Sequence, residues 1–139
     1  MSSFSVTFRS SADGDHADGV CVLDLKGELD AHTASELEAA FQKCLDDGRS
    51  RILVHGGDLQ YISSAGLGVF MAYIEEVREQ GGDIKIAALQ PRVYNVFDLL
   101  GFPVLFDITE TEDEAVARFS APDATDGATG GGATSGGAA

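Results

Sequence analysis

Between Val20 and Ile108 short runs of β-forming residues alternate with helical patterns, and that alternation restricts the fold more than any other feature of the chain. "VCVLDLKGELD" (Val20–Asp30), "RILVH" (Arg51–His55), "DIKIAA" (Asp83–Ala88) and "VLFDI" (Val104–Ile108) read as strands, rich in branched apolar side chains. In "DAHTASELEAAFQKCLDDG", Leu37, Ala40, Phe41, Cys44 and Leu45 recur at the spacing of one helix face. Leu67, Phe70, Met71, Ile74 and Val77 set the core stripe of a second helix over 65–80, and Val93, Val96, Phe97 and Leu100 that of a third, opened by Pro91. Thr33 with Glu36, and Thr111 with Glu114, have capping-box spacing, the second pair opening a short helix through Phe119. Gly48, Gly81 and Gly101 stand where helices stop.

Strands that alternate with helices are joined by crossovers, and crossovers build a largely parallel sheet. A first strand near Phe4–Phe8, linked to the second by the turn-rich "SADGDHADG", adds a hairpin at one edge. The expected order is strand, strand, helix, strand, helix, strand, helix, strand, helix. This is an α/β domain with a mixed, mostly parallel sheet of about four to five strands and about four helices. It occupies residues 1–120 of the 139, a length that suits one domain. From Ala121 the chain turns to Gly, Ala, Ser and Thr, which cannot offset their ordering entropy by burial, so 121–139 is expected to be a disordered tail.

Composition excludes several function classes. A formal net charge of −14, with only nine Lys and Arg, supplies no basic stripe for phosphates and argues against nucleic acid. The acidity suits solubility, high intracellular salt or a basic partner. The apolar runs are far shorter than a membrane span, and "MSSFSVTFRS" has no apolar signal core, so a cytoplasmic protein without a membrane partner is expected. Cys21 and Cys44 fall at apolar positions of a strand and a helix and read as buried small hydrophobes, because a redox or metal role needs clustering. His16, His32 and His55 show no metal-ligand spacing, and neither a metal nor a cofactor is expected.

The polar feature that stands out is Ser63–Ser64 in "GDLQYISSAGLG", between a strand and a helix. A nucleophile elbow needs glycine at the position held by Ile62, and a histidine after the serine, whereas all three histidines precede Ser63. The glycines do not have phosphate-loop spacing, and no Lys-Ser or Lys-Thr pair follows them. No catalytic residue is therefore expected. An N-cap, whose oxygen serves an orphan helix N–H, and a modification site both remain open.

Together, "GELD" (Gly27–Asp30), "GDLQYISSAGLGVF" (Gly57–Phe70) and "LQPRVYNVFDLLGF" (Leu89–Phe102) resemble the STAS family, specifically its anti-sigma factor antagonists, over about residues 4–119. In that family the signature is typically Asp-Ser-Ser/Ala-Gly-Leu, and a partner kinase phosphorylates the serine after the Asp. The match puts Ser64 on the phosphoacceptor and Ser63 where the Asp usually stands, with Ser63 itself as the alternative acceptor. The resemblance implies a protein that binds an anti-sigma factor of histidine-kinase-like ATPase fold, acting as a serine kinase, and so releases a sigma factor. Phosphorylation ends that binding, and a metal-dependent serine phosphatase restores it. The implied partner-binding residues are Asp30, Tyr61, Ile62, Ser63, Ser64, Gly66 and Gly68. Asp30 reads equally as a helix cap, Tyr61 and Ile62 as buried under the loop, and Gly66 and Gly68 as packing glycines. Asp58 is expected to shape the turn before the serines, Leu67 to be core and Arg92 a solvated charge. The family also includes scaffolds and transporter accessory subunits whose binding ignores phosphorylation, and Ser63 in place of Asp is the feature that fits that alternative.

Overall fold

The computed structural model describes residues 3–10 and 19–120. The expected hairpin turn at 11–18, His16, and the expected tail at 121–139 lie outside the described residues. The elements are β1 (Phe4–Ser10), β2 (Cys21–Leu29), α1 (Ala34–Asp46), β3 (Arg51–Ile62), α2 (Ser64–Glu79), β4 (Asp83–Ala87), α3 (Pro91–Leu99), α4 (Phe102–Leu105), β5 (Ile108–Thr109) and α5 (Glu112–Ser120). The strands lie side by side in sequence order in one five-stranded sheet. β1 runs antiparallel to β2, and every later pairing is parallel, as the crossover argument requires.

Alternation along the strands divides the core between the two faces of the sheet. Cys21, Leu23 and Leu25 of β2, Ile52 and Val54 of β3, and Ile84 and Ile86 of β4 pack in one cluster with apolar residues of α1, α2 and α3. Val22, Leu53 and Ala87 face the other way, toward Ala115 and Phe119 of α5. Phe70 is the hub of the larger cluster, meeting Phe41, Phe97, Phe102 and Phe106 at centroid distances of 5.6–6.4 Å, all edge to face. Gly27 adopts φ +102, and a Cβ there would stand 2.0 Å from the Ser3 carbonyl oxygen, so the glycine of "GELD" lets β1 cross close to β2.

Several local expectations are corrected. The strand expected at Val104–Ile108 is instead the short helix α4, followed by the two-residue β5. Gly101 in the left-handed region (φ 78) and Pro103 in the first turn restart a helix there, and Val104 is 88% exposed rather than buried between strands. β3 continues beyond His55 to Ile62, held to β2 through two register irregularities, so Asp58 lies within the strand opposite Lys26 and not in a turn. The Thr33–Glu36 capping box does not form, because the Thr33 hydroxyl is drawn inward to donate to the Glu28 carbonyl at 2.8 Å. The second box does form: the Thr111 N–H donates to Glu114 Oε1 and the Glu114 N–H to Thr111 Oγ1, both at 3.2 Å. Met71 and Leu100, expected in core stripes, are exposed, whereas Leu67 is buried as expected.

Candidate functional site

The carboxyl ends of β2 and β3 and the amino ends of α1 and α2 meet at one end of the sheet. Register places Glu28 opposite Tyr61 and Leu29 opposite Ile62. The Ser63 N–H then donates to the Leu29 carbonyl at 2.9 Å, the last rung before the chain turns into α2. Ser63 is the N-cap residue, in extended conformation, and its carbonyl accepts the first helical bond from Leu67 N–H at 3.1 Å.

The two serines face different surroundings. Ser63 Oγ makes no capping bond; it is buried and has no hydrogen-bond partner among the described residues. Ser64 is the first residue of α2 and is exposed. No acidic residue lies in the first turn of α2, so the helix itself leaves its amino-terminal partial positive charge uncompensated. An oxygen-rich anion on Ser64 would sit beside free N–H groups.

Helical spacing carries the exposed surface onward from Ser64 to Gly68, Met71 and Glu75. Gly68 has no atom within 4 Å of the place a Cβ would occupy. Tyr61, 52% exposed, flanks this face from β3, and Met71, 45% exposed, continues it. Gln60, beside Tyr61, accepts from Arg92 Nη2 at 3.1 Å, which ties the start of α3 to the same end of the sheet, while Arg92 stays exposed as expected.

Two residues expected at the partner surface are placed inside. Ile62 is 3% exposed, and Gly66 is buried where a Cβ would come within 2.7 Å of Leu29 Cγ and 3.0 Å of Ile62 Cγ1. Gly66 is therefore a packing glycine that lets α2 lie against the strand ends. Asp30 acts as a cap: its Oδ1 accepts the N–H groups of His32 at 2.8 Å and Thr33 at 3.2 Å, and its own N–H donates to Thr33 Oγ1 at 2.9 Å. It fixes the start of α1 one rung from Ser63. Met71 was missed as a surface residue because its periodic position suits the core equally well; exposure depends on how far the helix rolls on the sheet.

Residues 11–115 match the model of the STAS domain. The chain belongs to the STAS domain family. Among relatives of this STAS domain, BtrV of Bordetella bronchiseptica, named as an anti-sigma factor antagonist, is 33% identical over 105 residues, 76% of this chain and 90% of its own. The anti-sigma-B factor antagonist of Bacillus subtilis is 30% identical over 95 residues, 68% of this chain and 85% of its own. The crystal structure of an anti-sigma factor antagonist from Mycobacterium paratuberculosis superposes with a TM-score of 0.73 at 24% identity, covering 86% of this chain and 96% of that one, and shares the fold. Among the described residues no helix is long and apolar enough to cross a membrane, and no group of three or more His, Cys, Asp or Glu could hold a metal ion.

Proposed function

We propose that this STAS domain is an anti-sigma factor antagonist switched by phosphorylation of Ser64. Unmodified, it binds an anti-sigma factor that is also a serine kinase of histidine-kinase-like ATPase fold, and the sigma factor is set free. The kinase transfers the γ-phosphoryl group of ATP to Ser64 Oγ, leaving ADP, and the hydroxyl proton passes to a base of the kinase. A metal-dependent serine phosphatase hydrolyses the ester and restores binding. The protein is a substrate and ligand throughout.

The observation that carries this reading is the exposed Ser64 hydroxyl at the uncompensated amino end of α2, on a face continued by Tyr61, Gly68 and Met71. The names of the relatives support the partner class. Burial of Ser63 Oγ favours Ser64 over Ser63 as acceptor. A phosphate adds about −1.5 to −2 charge, tolerated at a helix amino end in the free protein but desolvated without a matching cation in an interface built for a hydroxyl. Binding changes tenfold for each ~1.4 kcal/mol, so a penalty of about 3 kcal/mol reduces occupancy roughly a hundredfold without refolding.

Affinity capture with the unmodified chain should retrieve a kinase-type anti-sigma factor that ATP releases, and peptide mapping should find the phosphate on Ser64. Ser64→Ala should still capture the kinase, and Ser64→Asp should capture it at least tenfold less. Equal capture by the two variants sinks the switch. That result would favour the second reading, a phosphorylation-independent scaffold or transporter accessory subunit, for which the neutral Ser63 at the usual Asp position is the motivating feature.

A further inference from the structure

Cys21 opens β2 and Cys44 lies in the last turn of α1, and the packing of that helix on the sheet brings their Sγ atoms to 3.4 Å. Both thiols are free and, as expected from the sequence, buried. They border a cavity of about 250 Å³ that is also lined by Arg9, Lys43, Asp47 and Arg49. The clustering that the sequence does not show is thus created by the fold, beside Arg49 and two ion-paired cations, Arg9 with Asp24 and Glu112 and Lys43 with Asp47.

We propose that Cys21 and Cys44 are an oxidisable dithiol that hydrogen peroxide converts to an intramolecular disulfide. Cys21 is the attacking sulfur. The hydrogen bond shared with Cys44 holds the Cys21 thiol below the ordinary range, with help from Arg49 and Lys43 and against burial and Asp47. The same hydrogen bond, together with burial, pushes the Cys44 thiol up. Cys21 thiolate attacks one peroxide oxygen, the O–O bond breaks, and the departing hydroxide takes a proton to become water, leaving a sulfenic acid. The Cys44 sulfur then attacks Cys21 Sγ and loses its proton, while the S–O bond breaks and the hydroxyl leaves with a proton as a second water. Two thiols and one peroxide give one disulfide and two waters.

Closing the bond moves the sulfurs from 3.4 Å to about 2.05 Å, and since both side chains are buried the cavity they border is the route that peroxide must take to reach them. The site is at the amino end of β2, and Asp30 follows its carboxyl end beside Ser63. Eight residue steps of strand, at about 3.3 Å each, separate the two ends. The couple is therefore spatially separate from Ser64 and from the proposed partner face.

The test uses the full chain, reduced and then exposed to millimolar hydrogen peroxide, with thiol titration in denaturant and non-reducing peptide mapping. Loss of both thiols, a mass decrease of about 2 Da, a Cys21–Cys44 linked peptide and recovery of both thiols with a reductant are expected. Cys44→Ser should trap a dione-reactive sulfenic acid on Cys21, and Cys21→Ser should slow oxidation of Cys44 at least roughly tenfold. Persistence of both thiols in the wild-type chain, cross-linking between chains only, or a mass gain to sulfinate without a disulfide overturns the proposal. Mapping of the wild-type chain decides the matter even where a serine variant fails to fold.

Discussion

Gly66 and Gly68 lie two residues apart in the same helix, and the structure assigns them opposite responses to one added methyl group. At Gly66 the new Cβ would stand 2.7 Å from Leu29 Cγ and 3.0 Å from both Leu29 Cδ2 and Ile62 Cγ1. Relaxed carbon contacts are about 3.5–4.0 Å, so several contacts must open by roughly half an ångström or more. Leu29 and Ile62 are buried, at 0% and 3% exposure, on the paired ends of β2 and β3, next to the 2.9 Å rung from Ser63 to Leu29. They have nowhere to withdraw without shifting the helix–sheet junction. Overpacking of this kind costs about 1–3 kcal/mol, and the better helix propensity of alanine returns about 1 kcal/mol, leaving Gly66→Ala destabilised by roughly 1 kcal/mol. At Gly68 the methyl meets nothing within 4 Å, so Gly68→Ala keeps only the propensity gain of about 0.5–1 kcal/mol. The two variants should differ by about 2 kcal/mol, which at a urea m-value of about 2 kcal/mol/M separates their midpoints by roughly 1 M. Urea unfolding followed by circular dichroism measures this directly. A Gly66→Ala midpoint equal to or above that of Gly68→Ala refutes the packing role given to Gly66.

Three further outcomes follow from other parts of the molecule. Asp107 sits between Lys85 Nζ at 2.7 Å and Arg118 at 3.3 Å. Burial pushes its carboxyl up, but the two cations outweigh that and hold it below the ordinary range. A depressed folded-state value means stability that is present above the unfolded value and lost as pH falls through the folded one. Because the Asp107 side chain is 42% exposed, Asp107→Asn should lose only about 1 kcal/mol at pH 7, and the gap from wild type should close as pH falls below the ordinary carboxylate range in acid-unfolding curves. Ser63→Ala should leave stability unchanged or raise it by about 1 kcal/mol in chemical denaturation, because the hydroxyl it removes is buried and has no bond among the described residues; a loss above about 1 kcal/mol would reveal a cap bond that the geometry lacks. Met71→Ala should stay within about 1 kcal/mol of wild type, whereas Phe70→Ala, which removes the ring at the centre of the aromatic cluster, should cost about 3–5 kcal/mol or prevent folding. Similar losses at the two positions would contradict the roll of α2 on the sheet.

The legible parts of the chain were those specified by neighbours in sequence. The i, i+3, i+4 spacing of Leu37, Ala40, Phe41, Cys44 and Leu45 identifies α1, and all five are buried. Gly48 in the left-handed region and Pro91 in the first turn of α3 mark boundaries where expected. Ser64 was recognisable at a strand-to-helix junction because the period of apolar residues changes around it. Less legible were Val104 and Leu105, whose β-forming character is overridden by Gly101 and Pro103. The Thr33–Glu36 spacing failed for a similar reason: Asp30, held in place by the end of β2, accepts the Thr33 N–H that the Glu36 carboxylate was expected to serve, and the Thr33 hydroxyl turns to the Glu28 carbonyl.

Local pattern by itself determined the alternation of strands and helices, the parallel sheet that alternation forces, and the placing of two serines where a helix begins. Tertiary packing decided which serine faces solvent, which apolar residues turn outward, and that two cysteines 23 positions apart come within touching distance. Periodicity fixes only the angular spacing of side chains around each element. The roll and height at which a helix settles on the sheet come from how all the buried volumes fit together, and that sum is not contained in any one stretch of chain.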